Sequence, residues 1–233
     1  MKNRKTLFVS VFILLSVFIS QSSYVSGEGP MKGAALSAEE KQDAGVRDLL
    51  LKLQNEVSDF DSLKTDFRQE KNLAVFSNKI VIKGRIYLRK PGTVAWHVDE
   101  PLKYSVLITD KLIRQWDEDT DRVQEIPLST NPMFRVVIDQ LTAWFSGQYV
   151  QLLDEYSVSV RSEHPLQLEF RPRESGNIKK IIKTITVTFR EDRKYLQRVQ
   201  FDEISGDSTI IIFSNTEFNA PMKSSDFEVK RRV

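Results

Sequence analysis

Few residues in this sequence are of the types that do chemistry. The chain has two histidines, His97 and His164, and no cysteine. The alternating pattern places His97 on the outward, polar face of a strand, and His164 precedes Pro165 in a turn. No Gly-x-Ser-x-Gly elbow, His-Glu-x-x-His pair or glycine-rich phosphate loop occurs, and without cysteine there is no thiol nucleophile. We therefore expect no catalytic residues, no cofactor and no enzymatic activity.

One acidic run has the spacing of a calcium loop. Asp117, Asp119 and Asp121 occupy what would be the first, third and fifth positions of an EF-hand. That loop also needs glycine at its sixth position and a bidentate glutamate at its twelfth. Here those positions hold Arg122 and Leu128, so the sharp turn and the last ligand are both missing. We predict a solvated hairpin tip and no metal site.

The N-terminal residues have the pattern of a secretory signal peptide. Three basic residues precede an apolar run over 7–19, which is short for the roughly 30 Å of a membrane's hydrocarbon core. We expect cleavage after Gly27, a flexible tether over 28–36 and a single domain over 37–233. An uncleaved membrane anchor is the alternative.

Removing the signal peptide changes the charge of the chain. Of 34 Lys and Arg and 32 Asp and Glu, three basic residues and no acidic residue lie in the first 27 positions. The remainder has 31 basic and 32 acidic residues, a net charge of −1. A nucleic-acid-binding surface needs a clearly basic face, so we expect no nucleic-acid partner.

The absence of cysteine bears on lipid anchoring. A bacterial lipoprotein carries its lipid on a cysteine, and this chain has none, so we expect that it is not itself lipid-anchored. We expect a soluble, monomeric periplasmic protein.

The spacing of apolar residues predicts one helix followed by many strands. Apolar residues recur at helical spacing from Val46 to Val57, and a capping box begins at Ser37, which together predict a helix over about 38–58. Beyond it the period changes to two. Short strands with one apolar and one polar face, separated by turn-sized gaps, indicate an antiparallel meander around a single apolar interior.

The apolar face of this meander is the candidate binding surface. Its predicted inward residues are Phe67, Ile82, Ile86, Leu88, Val94, Trp96, Val106 and Ile108. Side chains of equal parity share one face of a strand, so we expect these residues to line one continuous cavity. The alternative is a solid core, as in most small barrels.

A second predicted helix interrupts the strands. Asn131 and Pro132 form a strong helix start, and Gly147 ends the helix. Its apolar residues include Phe134, Val137, Ile138, Leu141, Trp144 and Phe145, which is more apolar surface than a helix packed on one side needs. We predict a lid whose inner face lines the cavity and for which Gly147 is a candidate hinge. A buried core helix is the alternative.

These segments together resemble the LolA family. The stretch Gly84–Pro91, followed by Trp-His at positions 96 and 97, is similar to that family's Gly-x-Leu-Trp-x-Lys-Arg-Pro and Trp-His. Residues 67–69 resemble its first strand and residues 131–134 the start of its lid helix, so that the resemblance runs from roughly 46 to 229. It implies an α+β fold, an incomplete antiparallel β-barrel with its concave apolar face covered by α-helices.

The resemblance also implies a function and partners. Members of the family take triacylated lipoproteins from an inner-membrane ABC transporter of the LolCDE type and pass them to the outer-membrane receptor LolB. This chain would then be a soluble periplasmic carrier that shields the acyl chains of lipoproteins and ferries them between the two membranes. The alternatives are a LolA-like carrier of another lipid or lipid-linked product, such as a glycolipid or polyene, and an RseB-like lipid or lipoprotein sensor module.

Lys90 is one of the positions that depart from the family's pattern. Where characterised carriers have an arginine that hydrogen-bonds to the lid, this chain has Lys90. An ammonium is a point charge and lacks the planar fork of a guanidinium, so the resemblance implies a weaker lid clasp at Lys90. A solvated surface lysine is the alternative.

Overall fold

The part of the chain that can be described begins after the predicted signal peptide and tether. In a computed structural model, the described residues are 38–57, 60–75, 78–130, 144, 147–173 and 177–229. The predicted signal peptide, tether and capping residue Ser37 therefore lie outside the described residues, as does the predicted lid helix except for Trp144. Over the described ranges, no helix is both long enough and apolar enough to cross a membrane.

Helix α1 spans Ala38–Val57, as the spacing of apolar residues predicts. Val46, Leu50, Leu53 and Val57 are at most 6% exposed. Their spacing of four, three and four residues places them on one side of a helix. All four side chains belong to the main hydrophobic core, so this side of the helix packs against the rest of the protein.

The strands of the described residues form one antiparallel sheet of eleven. They are β1 (Ser62–Asn72), β2 (Ile80–Arg89), β3 (Thr93–Glu100), β4 (Tyr104–Ile108), β5 (Leu112–Asp117), β6 (Val123–Pro127), β7 (Tyr156–Glu163), β8 (Leu166–Pro172), β9 (Ile182–Phe189), β10 (Leu196–Glu203) and β11 (Ser208–Phe218). Their order in the sheet is β6-β5-β4-β3-β2-β1-β11-β10-β9-β8-β7. The sheet is open, with β6 and β7 at its edges, which confirms the predicted incomplete antiparallel barrel.

The first and last strands hold the two halves of the sheet together. Strands β1–β6 form one meander and β7–β11 another, and the pairing of β1 with β11 joins them. Phe67 lies opposite Phe213, and Leu63 lies opposite Phe218. The pairing therefore brings aromatic side chains from both ends of the sequence onto one face at the centre of the sheet.

The two faces of the sheet differ in what covers them. We call the face that carries Phe67, Ile86 and Trp96 the inner face. Together with α1, it contributes to the main hydrophobic core. On the outer face, a smaller cluster includes Tyr87 and Val229. Residues that follow β11 therefore return across the outer surface of the sheet.

His97 lies on the outer face, as predicted, but that face is not solvated there. Its side chain is only 2% exposed. Its Nε2 lies 2.8 Å from the Asp226 carbonyl oxygen and its Nδ1 lies 2.9 Å from the Ser105 hydroxyl. A carbonyl only accepts, so Nε2 carries a proton and donates it to Asp226. His97 thus fastens the C-terminal segment to the sheet.

The acidic run is a hairpin tip, as predicted, between β5 and β6. The Asp117 carboxylate accepts hydrogen bonds from the amide and the hydroxyl of Thr120, each at 2.8 Å. Asp121 accepts one from the Trp116 indole at 3.0 Å. These acceptors close the turn. Among the described residues, no group of three or more His, Cys, Asp or Glu side chains could hold a metal ion.

Candidate functional site

The inner face holds all eight sheet residues that were predicted to line a cavity. Their exposed fractions run from 0% at Ile86 to 8% at Trp96, and all of them belong to the main core cluster. Ile80, which has the same parity on β2, is 37% exposed, so the face ends before that residue. Burial of this kind fits both a cavity lining and a solid core, so the cavity remains a proposal.

A glycine on β2 makes room for the aromatic pair at the centre of the inner face. The Phe67 and Trp96 rings lie 4.8 Å apart and are tilted by 59°. A Cβ at Gly84 would stand 1.8 Å from the His97 carbonyl oxygen and 2.9 Å from the Phe67 ring. No larger residue fits there. The glycine that opens the family-like stretch is therefore required for packing.

The second half of the sheet contributes to the inner face as much as the first. Its buried core residues include Val158, Leu166, Leu168, Phe170, Ile185, Val187, Phe189, Leu196, Val199, Ile211 and Phe213. The period of two on β8 and β9 is visible in the sequence, but these residues were not assigned to the site. The alternation of apolar and polar residues along these strands was the signal that could have assigned them to the site.

The predicted lid is represented by one side chain. The Trp144 ring lies 4.6 Å from the Phe170 ring at an interplanar angle of 70°, and its side chain is 7% exposed. Trp144 therefore packs over the inner face at β8. The other predicted lid residues lie outside the described residues, namely Phe134, Val137, Ile138, Leu141 and Phe145.

Gly147, the hinge candidate, is tightly packed against the end of α1. Its φ is +79°, and a Cβ there would stand 2.4 Å from Cγ1 of Val57. A positive φ and a close neighbour both favour glycine. These two facts explain the residue type at position 147, and its role as a hinge stays a prediction.

Lys90, the predicted lid clasp, contacts the connection between α1 and β1. Its ammonium lies 4.1 Å from the centre of the Phe60 ring, and its amide donates to the Asp61 carbonyl at 2.8 Å. Phe60 is 5% exposed. The residues that Lys90 was predicted to clasp lie outside the described ranges, so the clasp stays a prediction.

An aromatic cluster that the sequence did not reveal lies beside Phe60. The Tyr195 ring is 6.3 Å from the Phe60 ring, 6.2 Å from the Phe213 ring and 5.8 Å from the Phe218 ring. Tyr149 stands edge-on to Phe189 at 5.5 Å. Both tyrosines are 0% exposed, and burial raises the pKa of each phenol well above its ordinary value. Both phenols therefore stay neutral at physiological pH.

The inner face becomes polar toward one end of β1. After Phe67, the next inward residues are Gln69 and Lys71, each 3% exposed. The Lys71 ammonium pairs with the Glu203 carboxylate, whose side chain is 12% exposed. A buried charge needs such a partner because its desolvation is costly. The apolar part of the inner face is therefore bounded at this end by an ion pair.

Comparison with known proteins gives consistent matches. The family described as "Outer membrane lipoprotein carrier protein LolA" matches residues 58–230. Outer-membrane lipoprotein carrier proteins of Chromohalobacter salexigens and Coxiella burnetii are 24% and 22% identical to this chain over 146 and 147 residues. These alignments cover 62% and 63% of this chain, and 65% and 66% of the relatives, which is just under two thirds of their length.

The fold is comparable to that of a solved structure. An uncharacterized conserved protein from Thermus thermophilus superposes with a TM-score of 0.50, covering 81% of this chain and 94% of that one. The two sequences are 9% identical, so the likeness concerns the fold alone.

Proposed function

The chain belongs to the LolA family of outer membrane lipoprotein carrier proteins, and from this premise we propose that it is a periplasmic carrier of lipoproteins. It shields their acyl chains on the way from the inner to the outer membrane. The observation that carries the proposal is the continuous apolar inner face of an open sheet, which is covered in part by α1 and Trp144. The family consists of carriers, and we propose no catalytic step.

The size of the hydrophobic effect explains why such a carrier is needed. Burying one methylene is worth roughly 0.8 kcal/mol. Exposing three acyl chains with about 45 methylenes to water would therefore cost a free energy on the order of 35 kcal/mol. Free diffusion between two membranes is negligible against such a cost. The carrier must cover most of this surface and still release the cargo.

An open sheet with a separate cover meets both demands. We propose that acyl chains lie against Phe67, Ile86, Trp96 and the other inward residues of β1–β4. The segment that contains Trp144 would close over them as a lid, with Lys90 as its clasp. Because β6 and β7 are not paired with each other, the sheet and its cover could separate without breaking the hydrogen bonds of a closed barrel.

The proposed partners follow from the proposed cargo. We propose that a LolCDE-type ABC transporter loads the carrier at the inner membrane and that a LolB-type receptor unloads it at the outer membrane. Support comes from the family match over residues 58–230 and from the names of the two relatives.

The proposal is tested by identifying what the protein binds in its own host. The protein is purified from the periplasm, extracted with organic solvent and examined by mass spectrometry. We expect peptides that carry an acylated N-terminal cysteine. A glycolipid or polyene in their place would keep the carrier role and change the cargo. A lipid-free protein that also takes up no synthetic triacylated lipopeptide would contradict the proposal.

A further inference from the structure

Two hydroxyl groups inside the apolar core have no hydrogen-bond partner among the described residues. They belong to Tyr149 and Tyr195, both of which are fully buried. Nearly all buried polar groups in folded proteins are hydrogen-bonded, because an unpaired buried hydroxyl has lost its water without replacement. Other tyrosines here have partners. The Tyr104 hydroxyl donates to the Gln115 side chain at 3.1 Å. Among the described residues the Thr209 hydroxyl is also buried without a partner, but it lies opposite Lys71 at the polar end of the inner face.

The two hydroxyls lie in the same part of the core. Tyr195 packs among Phe60, Phe213 and Phe218, and Tyr149 packs on Phe189. Arg190, which directly follows Phe189, donates its amide hydrogen to the Tyr195 carbonyl at 3.0 Å. Both unpaired donors therefore adjoin the same end of β9.

We propose that the hydroxyls of Tyr149 and Tyr195 form a donor site for the ester carbonyls of a bound acyl lipid. This inference rests on the proposed function and names a polar contact within it. The surroundings favour an uncharged acceptor, because removing a carboxylate or phosphate from water among these phenylalanines costs far more than removing an ester carbonyl. An ester carbonyl has no charge and only accepts hydrogen bonds, so it complements two neutral donors.

Such a site would set the depth at which the acyl chains bind. The ester carbonyl lies where each chain begins, so binding it at these tyrosines leaves the methylenes to the apolar inner face. One hydrogen bond between neutral groups changes an affinity by about two- to tenfold. A preference of this size favours ester-linked lipids and fixes how deeply their chains bind, and it is weak enough to leave release possible.

The test is a competition between an ester and an ether. Vesicles carry equal amounts of two synthetic lipopeptides with the same three chain lengths, each with one amide-linked chain. One has two ester-linked chains on its glyceryl group, and the other has ethers at those positions. After incubation the protein is separated from the vesicles, and mass spectrometry gives the ratio of the two bound lipopeptides. We expect wild type to prefer the ester by about two- to tenfold for each hydroxyl engaged.

Three variants complete the experiment. Tyr149→Phe and Tyr195→Phe should each bring the ester-to-ether ratio closer to one while the ether analogue is still taken up. The matched control is Tyr87→Phe, which removes a buried phenol hydroxyl from the outer face and should leave the ratio as in wild type. In lipid-free protein, neither test substitution should lower the thermal midpoint, because each removes a hydroxyl that has no partner within the described ranges.

Each contrary result identifies what has failed. Equal uptake of ester and ether by wild type overturns the donor site, as does an unchanged ratio in both test variants. A lowered thermal midpoint in both lipid-free variants also overturns it, because the hydroxyls are then already bonded without ligand. Uptake of neither lipopeptide by wild type contradicts the proposed function and, with it, this inference.

Discussion

The Lys90 ammonium lies 4.1 Å from the centre of the Phe60 ring. Lys90 follows the last residue of β2, and Phe60 lies between α1 and β1. The contact therefore joins the helix connection to the edge of the family-like Lys-Pro stretch. Phe60 also packs against Phe218 at 5.2 Å, so the cation stands beside the aromatic cluster that contains Tyr195.

Replacing Lys90 should separate its two possible roles. A cation over an aromatic ring contributes about 0.5–1 kcal/mol at such sites, so Lys90→Ala should lower the free energy of unfolding by that amount in urea titrations. Lys90→Arg keeps the cation and should retain stability. If Lys90 also clasps the lid, cysteine crosslinks between residues 131–145 and β2 should increase in Lys90→Arg and decrease in Lys90→Ala. Equal crosslinking in all three proteins would contradict the clasp.

Gly84 should tolerate no side chain. In Gly84→Ala the added Cβ would meet the backbone of β3 and the Phe67 ring. Overpacking of this kind costs typically ~1–3 kcal/mol and shifts the backbone, so we expect a lower thermal midpoint. The matched control is Gly45→Ala in α1, where nothing lies within 4 Å of the new Cβ. It should be neutral or stabilise by up to about 1 kcal/mol. Equal midpoints for both variants would contradict the packing role of Gly84.

The sequence predicts those parts of the site that follow from the spacing of apolar residues within a single helix or strand. On β2 and β3, strict alternation identifies Ile86, Leu88, Val94 and Trp96 as inward residues, and the structure places them so. In α1, regular spacing gives the buried side. On β11 the run Ile-Ile-Ile-Phe at 210–213 has no period of two, so its inward residues cannot be separated from its outward ones.

The remaining features arise only from tertiary contacts. No local pattern indicates that β1 pairs with β11, because the partners are about 150 residues apart along the chain. The burial of Tyr87 and His97 on the outer face depends on the C-terminal segment that covers them. Tyr195 lies in the connection between β9 and β10, where periodicity gives no information on burial.

Acid should destabilise the protein in part through Glu169. Burial alone would raise the pKa of this carboxyl, but hydrogen bonds from Arg171 and Arg161 and the charges of both together lower it below its ordinary value. A group whose pKa is lower in the folded state stabilises the fold above its unfolded pKa and loses this effect as pH falls through the folded pKa. We expect the free energy of unfolding to decline below about pH 4.5. In Glu169→Gln this part of the decline should be absent, and an unchanged pH profile would contradict the assignment.

Trp144 should report on movement of the predicted lid. The chain has three tryptophans, so Trp96→Phe combined with Trp116→Phe leaves Trp144 as the single indole. If the segment around it is a lid, binding of a triacylated lipopeptide should shift the Trp144 emission, because the indole leaves its contact with Phe170 for lipid. If the segment is a fixed core helix, the emission should stay unchanged. Circular dichroism must show that the double variant is folded.

Two adjacent isoleucines provide a matched test of which face binds lipid. Ile211 is 2% exposed on the inner face, and Ile212 is 36% exposed on the opposite face of the same strand. Ile211→Thr places a hydroxyl in an apolar site at a cost of ~1–3 kcal/mol and should weaken lipopeptide binding in a fluorescence titration. Ile212→Thr should bind as wild type does. Equal affinities in two folded variants would contradict binding at the inner face.

Photocrosslinking tests the central claim most directly. A triacylated lipopeptide with a diazirine in the middle of one chain is loaded onto the protein and irradiated, and the labelled residues are identified by tandem mass spectrometry. The account predicts labels on inner-face residues such as Phe67, Ile86 and Phe213 and on the lid segment. Labels confined to outer-face residues such as Trp116 and Ile212, or no label from a lipopeptide shown to be bound, would contradict it.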